Sequence, residues 1–324
     1  MRYESAVSLK RALLSEGLGS HVASASTLPN AAAVTLSARA VSAAKQAFAL
    51  GIRGKKGNYR LAVRIQEVNA GVERAVDRVR EMAHGECDVR LVGPVVKQQA
   101  LWHRSRNRPL RIGGSVGHVN VTAGTLGCFV SHASTGEEFV LSNNHVLANE
   151  NDAKSGDTIL QNGPADGGQA PGERIGELRR FVRLKLLHNR VDAAIASLVD
   201  GIEYYYNELA GVGEISGVRT DPLEDGELVY KVGRTTGTTR GRVSSIELDE
   251  LRVGYDRGAL AFDNQIEIEP ADAVPFSLGG DSGSLIVDRN RRAVALLFAG
   301  NDVDATFANP IGEVLRGLNV ALVY

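Results

Sequence analysis

Hydrophobic positions along this chain fall into two textures. In the first, helical and strand spacings take turns. Leu36 to Leu50 (LSARAVSAAKQAFAL) reads as a helix that stops at Gly51. Tyr59 to Ile65 alternates as a strand, Gly71 to Ala83 sets Val72, Ala75, Val76, Val79 and Met82 on one helical face, and Cys87 to Val92 reads as a further strand. The residues before Leu36 are rich in Ser, Gly and Ala without a sustained period, so they predict a short helix at most, followed by flexible chain. An arginine-rich stretch with a proline, Trp102 to Gly114, has no periodicity and reads as an exposed connection. Beyond it the second texture begins, of short apolar runs cut by Gly, Asn and Asp. Strands are predicted at Gly127–Ser131, Glu138–Leu141, Ile175–Phe181, Asp192–Leu198, Leu228–Val232, Arg242–Leu248, Gln265–Ile268, Gly283–Val287 and Ala293–Phe298. Only Asn309 to Leu318 reads as a closing helix. The pattern predicts a small α/β module over residues 1–110 and a mainly β domain, a sandwich or barrel, over 111–324.

Composition narrows the class. With 324 residues, 43% of them hydrophobic and 23% charged, the chain is an ordinary globular one; disorder, collagen and coiled coil are excluded. It is long enough to build full cores without staples. Its two cysteines, Cys87 and Cys128, form no disulfide framework, which points to a reducing compartment. Near the start, Ser15, Glu16, Gly17 and Gly19 interrupt any apolar stretch a signal peptide would need. The longest apolar run, Ala293 to Ala299, is too short to span a bilayer. A cytoplasmic protein with no membrane partner is expected.

Charge separates the two textures. Residues 1–110 carry 18 Lys and Arg against 8 Asp and Glu, whereas residues 111–324 carry 19 against 30. The basic half either docks on the acidic half or meets an acidic partner. Nucleic acid is disfavoured because the basic residues are scattered, with no basic helix or aromatic stacking set beside them. The segment Gly51 to Gly57 holds Lys55 and Lys56 but lacks the spacing of a phosphate loop. Histidines 21, 84, 103, 118, 132 and 188 lack ligand-spaced partners, so neither metal nor cofactor is predicted.

Three segments carry candidate chemistry: LSNNHVLA with His145 just beyond a strand, RVDAAIASL with Asp192 at the head of an apolar strand, and SLGGDSGSLIV with Ser282 in a glycine turn before a buried strand. Acyl transfer needs a nucleophile, a base that takes its proton, and a carboxylate that orients the base. Ser282, His145 and Asp192 are the right types. The nucleophile also needs a tight turn whose backbone N–H groups meet a developing oxyanion. Gly279, Gly280 and Gly283 supply one, with Gly280 and Ser282 as the donors.

The sequence here resembles the trypsin-like (chymotrypsin-fold) serine proteases over roughly residues 112–324. GDSGS at Gly280–Ser284, NNHVL around His145 and VDAAIA around Asp192 match the family's motifs in its chain order. VYKVGRTTGTTRGRV, Val229 to Val243, looks like the hairpin that opens the second barrel in bacterial members. The resemblance implies two six-stranded antiparallel β-barrels, with the site between them. It implies a Ser-His-Asp endopeptidase acting on a protein or peptide. GTLG at Gly124–Gly127, SNNHVLAN and QNGPADGG further resemble a bacterial intracellular subgroup similar to the plant Narrow Leaf protein.

Departures from the family pattern are informative. Val146 follows His145 where secreted members place a cysteine. Phe298 and Ala299 stand where a Ser-Trp pair is usual, which removes the serine that hydrogen-bonds the aspartate. For the substrate pocket the resemblance points to Phe276 at the base and to the wall around Gly300, where Asp302 and Asp304 either supply negative charge or are solvated loop residues. Asp281 matches the acid that in activated zymogens pairs with a new N-terminus; cleavage between Arg111 and Ile112 would expose such a terminus here. The basic module is expected to regulate the site, through a partner or as a homo-oligomer surface. The alternative is a protease-fold binding or scaffold protein with a latent site.

Overall fold

In the computed structural model of the chain, residues 1–15, 48–93, 102–301 and 303–324 are described. The chain forms two compact units, Met1–Val95 and Val96–Tyr324.

The first unit pairs three strands, β1 (Phe48–Lys55), β2 (Asn58–Ile65) and β3 (Cys87–Leu91), with β1–β2 antiparallel and β2–β3 parallel. Helix α1 (Tyr3–Ser15) precedes them. Helix α2 (Ala70–Met82) makes the parallel crossover. Asn69 caps it by accepting the N–H groups of Gly71 and Val72, and the predicted face turns Val72, Val76 and Val79 inward. The predicted helix Leu36–Leu50 falls mostly outside the described residues. Its last part is instead β1, in which Phe48 pairs with Ile65 and Gly51 with Ala62. The helical periodicity there loses to a hairpin partner that no local pattern encodes.

The second unit is mainly β. Its strands are β4 (Ser115–His118), β5 (Cys128–His132), β6 (Glu138–Ser142), β7 (Thr158–Leu160), β8 (Arg174–Phe181), β9 (Ala194–Leu198), β10 (Leu228–Gly233), β11 (Gly237–Leu248), β12 (Leu251–Tyr255), β13 (Gly258–Phe262), β14 (Gln265–Pro270), β15 (Leu285–Asp288), β16 (Arg292–Gly300), β17 (Thr306–Pro310) and β18 (Val320–Leu322). The first sheet runs β18-β5-β6-β9-β8-β7-β4 and ends on the short strand Gly124–Thr125 as a curled half-barrel. The second runs β16-β15-β10-β11-β14-β17 and closes, because β17 pairs back onto β16. Closure removes the sheet's edges and gives a true six-stranded barrel. Its interior holds Val229, Val243, Ile268, Phe276, Ile286 and Leu297; a fully buried side chain of this size contributes about 1.5–3 kcal/mol. This is the chymotrypsin-like double-barrel architecture, with one barrel closed and the other open.

Several local outcomes differ from the sequence pattern, among them the strands β4, β7 and β18, which it does not predict. Trp102 to Arg111, read as exposed connection, packs within the second unit: Leu110 is buried, the Asn107 N–H and the Arg108 guanidinium both donate to Gln161 Oε1, and Arg111 lies over Trp102 and Tyr205. The closing helix, α4 (Ile311–Leu318), starts later than predicted because Asn309 and Pro310 belong to β17. The β12–β13 hairpin was not predicted, although Val253-Gly254-Tyr255-Asp256-Arg257-Gly258 carries a turn signal in Asp-Arg-Gly.

Candidate active site

His145 sits on a one-turn helix, α3 (Asn144–Leu147), directly after β6. Asp192 lies just before β9, which pairs with β6, so sheet register brings the two together across 47 residues of sequence. The Asp192 carboxylate receives the His145 backbone N–H on Oδ1 at 3.2 Å and Nδ1 on Oδ2 at 2.6 Å. An ionised carboxylate only accepts, so Nδ1 carries the proton and Nε2 is left for other partners. Asp192 is fully buried and held from every side. Its N–H donates to Asn309 Oδ1, its C=O accepts from Asn143 Nδ2, and Tyr255 Oη donates to Oδ2 at 2.6 Å.

These contacts set the charge states. Burial works against the Asp192 carboxylate, but His145 and the hydrogen bonds from His145 and Tyr255 outweigh it and hold its pKa below the usual carboxylate value. Burial likewise works against protonation of His145. Attraction and hydrogen bonding from Asp192, with Glu150 adding to them, win and raise its pKa above the ordinary imidazole value.

Ser282 lies in the turn between Leu278 and β15. Gly280 and Gly283 take φ of +96° and +93°, and a Cβ on Gly283 would stand 2.1 Å from Ser142 Oγ, so this turn tolerates no side chain at either place. Asp281 holds the turn from beneath. Its buried carboxylate accepts the N–H groups of Thr235, Thr236 and Leu278, the Thr236 hydroxyl, and the ammonium of Lys231 at 3.3 Å. Burial opposes ionisation of Asp281, and Lys231 with these donors overcomes it, so its pKa stays below the ordinary range. Burial draws the Lys231 pKa down against the pull of Asp281. The carboxylate is thus already partnered inside the chain, without a terminus freed at Ile112.

The peptide planes of the turn are fixed by their carbonyls. Gly279 C=O accepts from Thr235 Oγ1, and Asp281 C=O accepts from the Ser284 N–H and hydroxyl. In a trans peptide the following N–H points the opposite way, so the Gly280 and Ser282 amides face away from these partners. Among the described residues neither amide has a protein acceptor.

His145 and Ser282 line one cavity of about 260 Å³ with Tyr255, Ser277, Gly279 and the wall Leu297–Gly300. The Ser282 hydroxyl donates to Phe298 C=O at 3.5 Å, its one side-chain hydrogen bond among the described residues. Of the pocket residues expected from sequence, Gly300 lines this cavity. Phe276 does not: it is 1% exposed, in the second barrel's core, and its neighbour Ser277 lines the cavity in its place. Asp304 is exposed and takes a hydrogen bond from Asn301 Nδ2, away from the lining; Asp302 lies outside the described residues. A second hollow of about 260 Å³, walled by Arg219, Leu223, Ile246, Ile311 and Arg316 among others, has no serine, cysteine or histidine among its described lining residues. Sequence reasoning missed Tyr255, Lys231, Asn143 and Asn309. Only Lys231 left a signal, as a lysine in an otherwise apolar strand.

No family model matches the sequence, and no curated protein matches it. Solved structures similar to the chain include Protease A of Thermobifida fusca, at 17% identity over 66% of this chain and 99% of that one, with a TM-score of 0.46. The protease of Nocardiopsis is similar at 19% identity over 66% of this chain and 100% of that one, with a TM-score of 0.46. An alpha-lytic protease homologue, N4, is similar at 18% identity over 66% and 99%, with a TM-score of 0.47. The structural neighbours of this chain are chymotrypsin-fold serine proteases at low sequence identity.

Proposed function

We propose that the second unit is a serine endopeptidase, with Ser282 as nucleophile, His145 as general base and then acid, and Asp192 as its orienting carboxylate. One observation carries this reading: Asp192 grips both the backbone and the ring of His145, which shares a cavity with Ser282, whose own amide and that of Gly280 have no acceptor among the described residues. In this reading the Ser282 hydroxyl leaves Phe298 C=O and donates to Nε2 of His145, which accepts its proton as Oγ attacks the scissile carbonyl. The N–H groups of Gly280 and Ser282 receive the oxyanion. His145 then returns the proton to the leaving amine, and water, activated the same way, releases the acyl group from Ser282.

The substrate class follows from the cavity wall. Ser277, Leu297, Phe298, Ala299 and Gly300 are uncharged. Glu150, the one acidic lining residue among the described residues, spends its carboxylate on the N–H groups of Asp256 and Arg257. An uncharged side chain before the scissile bond fits such a pocket, and a library of peptides varied at that position tests it.

The free thiols of Cys87 and Cys128 support an intracellular setting, and the GTLG, SNNHVLAN and QNGPADGG segments support the subgroup similar to the plant Narrow Leaf protein. Among the described residues no helix is long and apolar enough to cross a membrane. The basic N-terminal module is read as regulatory; turnover after removal of residues 1–95 rises if it caps the site and falls if it assembles it.

A second reading, a binding protein with a latent site, draws on the Ser282 hydroxyl resting on Phe298 C=O. Fluorophosphonate labelling read by intact mass separates the two. The endopeptidase labels in wild type and not in Ser282→Ala; a latent site labels in neither.

A further inference from the structure

Asp192 has a partner that belongs to neither barrel. Strands β12 and β13 form a two-stranded sheet of their own, inserted between barrel strands β11 and β14. Tyr255, the last residue before its turn, reaches across 63 positions of sequence to donate its hydroxyl to Asp192 Oδ2 at 2.6 Å. The same ring meets the His145 imidazole edge-on, with centroids 6.0 Å apart and planes at 77°. It stacks on Phe262, which packs on Phe298 of the cavity wall.

The hairpin is tied to the loops that bear both partners. Its turn donates the N–H groups of Asp256 and Arg257 to the Glu150 carboxylate, and the Arg257 guanidinium donates to Glu150 C=O. Glu150 follows His145 by five residues. On the other strand, Asn189, three residues before Asp192, exchanges backbone and side-chain hydrogen bonds with Ala261 and Asp263. A fully buried carboxylate oxygen needs donors to offset lost hydration. Oδ2 has two, the imidazole and the phenol, so the phenol fixes the carboxylate plane even as the imidazole changes protonation state.

We propose that Tyr255 is a positioning residue, whose hydroxyl holds the Asp192 carboxylate in the orientation that receives Nδ1–H of His145, delivered by a hairpin latched to the His145 loop. Its kinetic consequence rests on the endopeptidase reading; its geometric consequence does not. The charged groups facing His145 are Asp192 and Glu150, with the Tyr255 phenol beside them.

The test is Tyr255→Phe in the full chain, which keeps the ring contacts and removes only the hydroxyl. With one donor gone, more of the Asp192 charge acts on the imidazole, so the His145 pKa measured by NMR rises, with its protonation constant changing about threefold. The fluorophosphonate labelling rate falls about tenfold. Leu260→Ala, which loosens the hairpin that delivers the hydroxyl, shifts the His145 pKa in the same direction and by less. Unchanged pKa and unchanged labelling in Tyr255→Phe overturn the proposal. Wild type that does not label, with a His145 pKa that still moves in Tyr255→Phe, removes the endopeptidase reading and leaves the positioning role standing. Should the variant not fold, the Tyr255 hydroxyl proton of wild type decides by NMR: a slowly exchanging, strongly downfield hydroxyl proton supports the bond, and a rapidly exchanging one at the ordinary phenol position overturns it.

Discussion

Two buried carboxylates in the second unit, Asp192 and Asp281, are built in opposite ways. Asp281 takes three backbone N–H groups, a neighbouring hydroxyl and one lysine. Asp192 takes one backbone N–H and two side chains on separate elements, an imidazole and a phenol. Backbone amides locked into a turn do not move, so Asp281 holds a shape. An imidazole can gain and lose a proton, so in the proposed reading Asp192 holds a group that works. The difference teaches that burial and ionisation alone do not mark a functional carboxylate; the kind of partner does.

Substitution at the first carboxylate tests this most strongly. Asp192→Asn is expected to lower the labelling rate roughly 10⁴-fold, while circular dichroism shows the fold retained. Lys231→Met attacks the second. Removing one partner of a buried pair costs about 3–5 kcal/mol, so urea unfolding should show that loss. Labelling should fall with it, because the Ser282 turn stands on Asp281. If Asp192→Asn destabilises the fold more than Lys231→Met does, the contrast is wrong.

Acidity sharpens the comparison further. The His145 pKa is raised, so its stabilising pairing is fully present below the ordinary imidazole value and is lost as pH rises through its folded value. The Asp192 pKa is lowered, so its contribution is present above the ordinary carboxylate value and is lost as pH falls through its folded value. Thermal stability of wild type minus that of Asp192→Asn should therefore peak between about pH 4 and pH 6.5. Labelling needs neutral His145 and should climb just where that stability difference declines. Glu150→Gln gives the smallest effect. It keeps an acceptor for the hairpin turn but removes a charge that raises the His145 pKa, so the acid limb of the labelling profile should move to lower pH, about twofold in rate on that limb.

Much of this protein is legible in one dimension. The α2 face of Val72, Val76 and Val79, the closely spaced short strands, and the glycine turn around Ser282 follow from side-chain periods and from φ values only glycine tolerates. Residue type and motif also pointed to His145, Asp192 and Ser282 as candidates, and the fold sets His145 against Asp192 and in one cavity with Ser282. What tertiary structure decided is which groups meet. Phe276 and Ser277 are adjacent, yet one enters the barrel core and the other the cavity, a one-residue choice set by how the chain meets the barrel. Phe48 joined a strand because Ile65 was across from it. Lys231 found Asp281 and Tyr255 found Asp192 at separations of 50 and 63 residues. Local pattern records which face of an element is apolar; it holds no record of what another element brings to that face, and the partners of a buried charge are decided there.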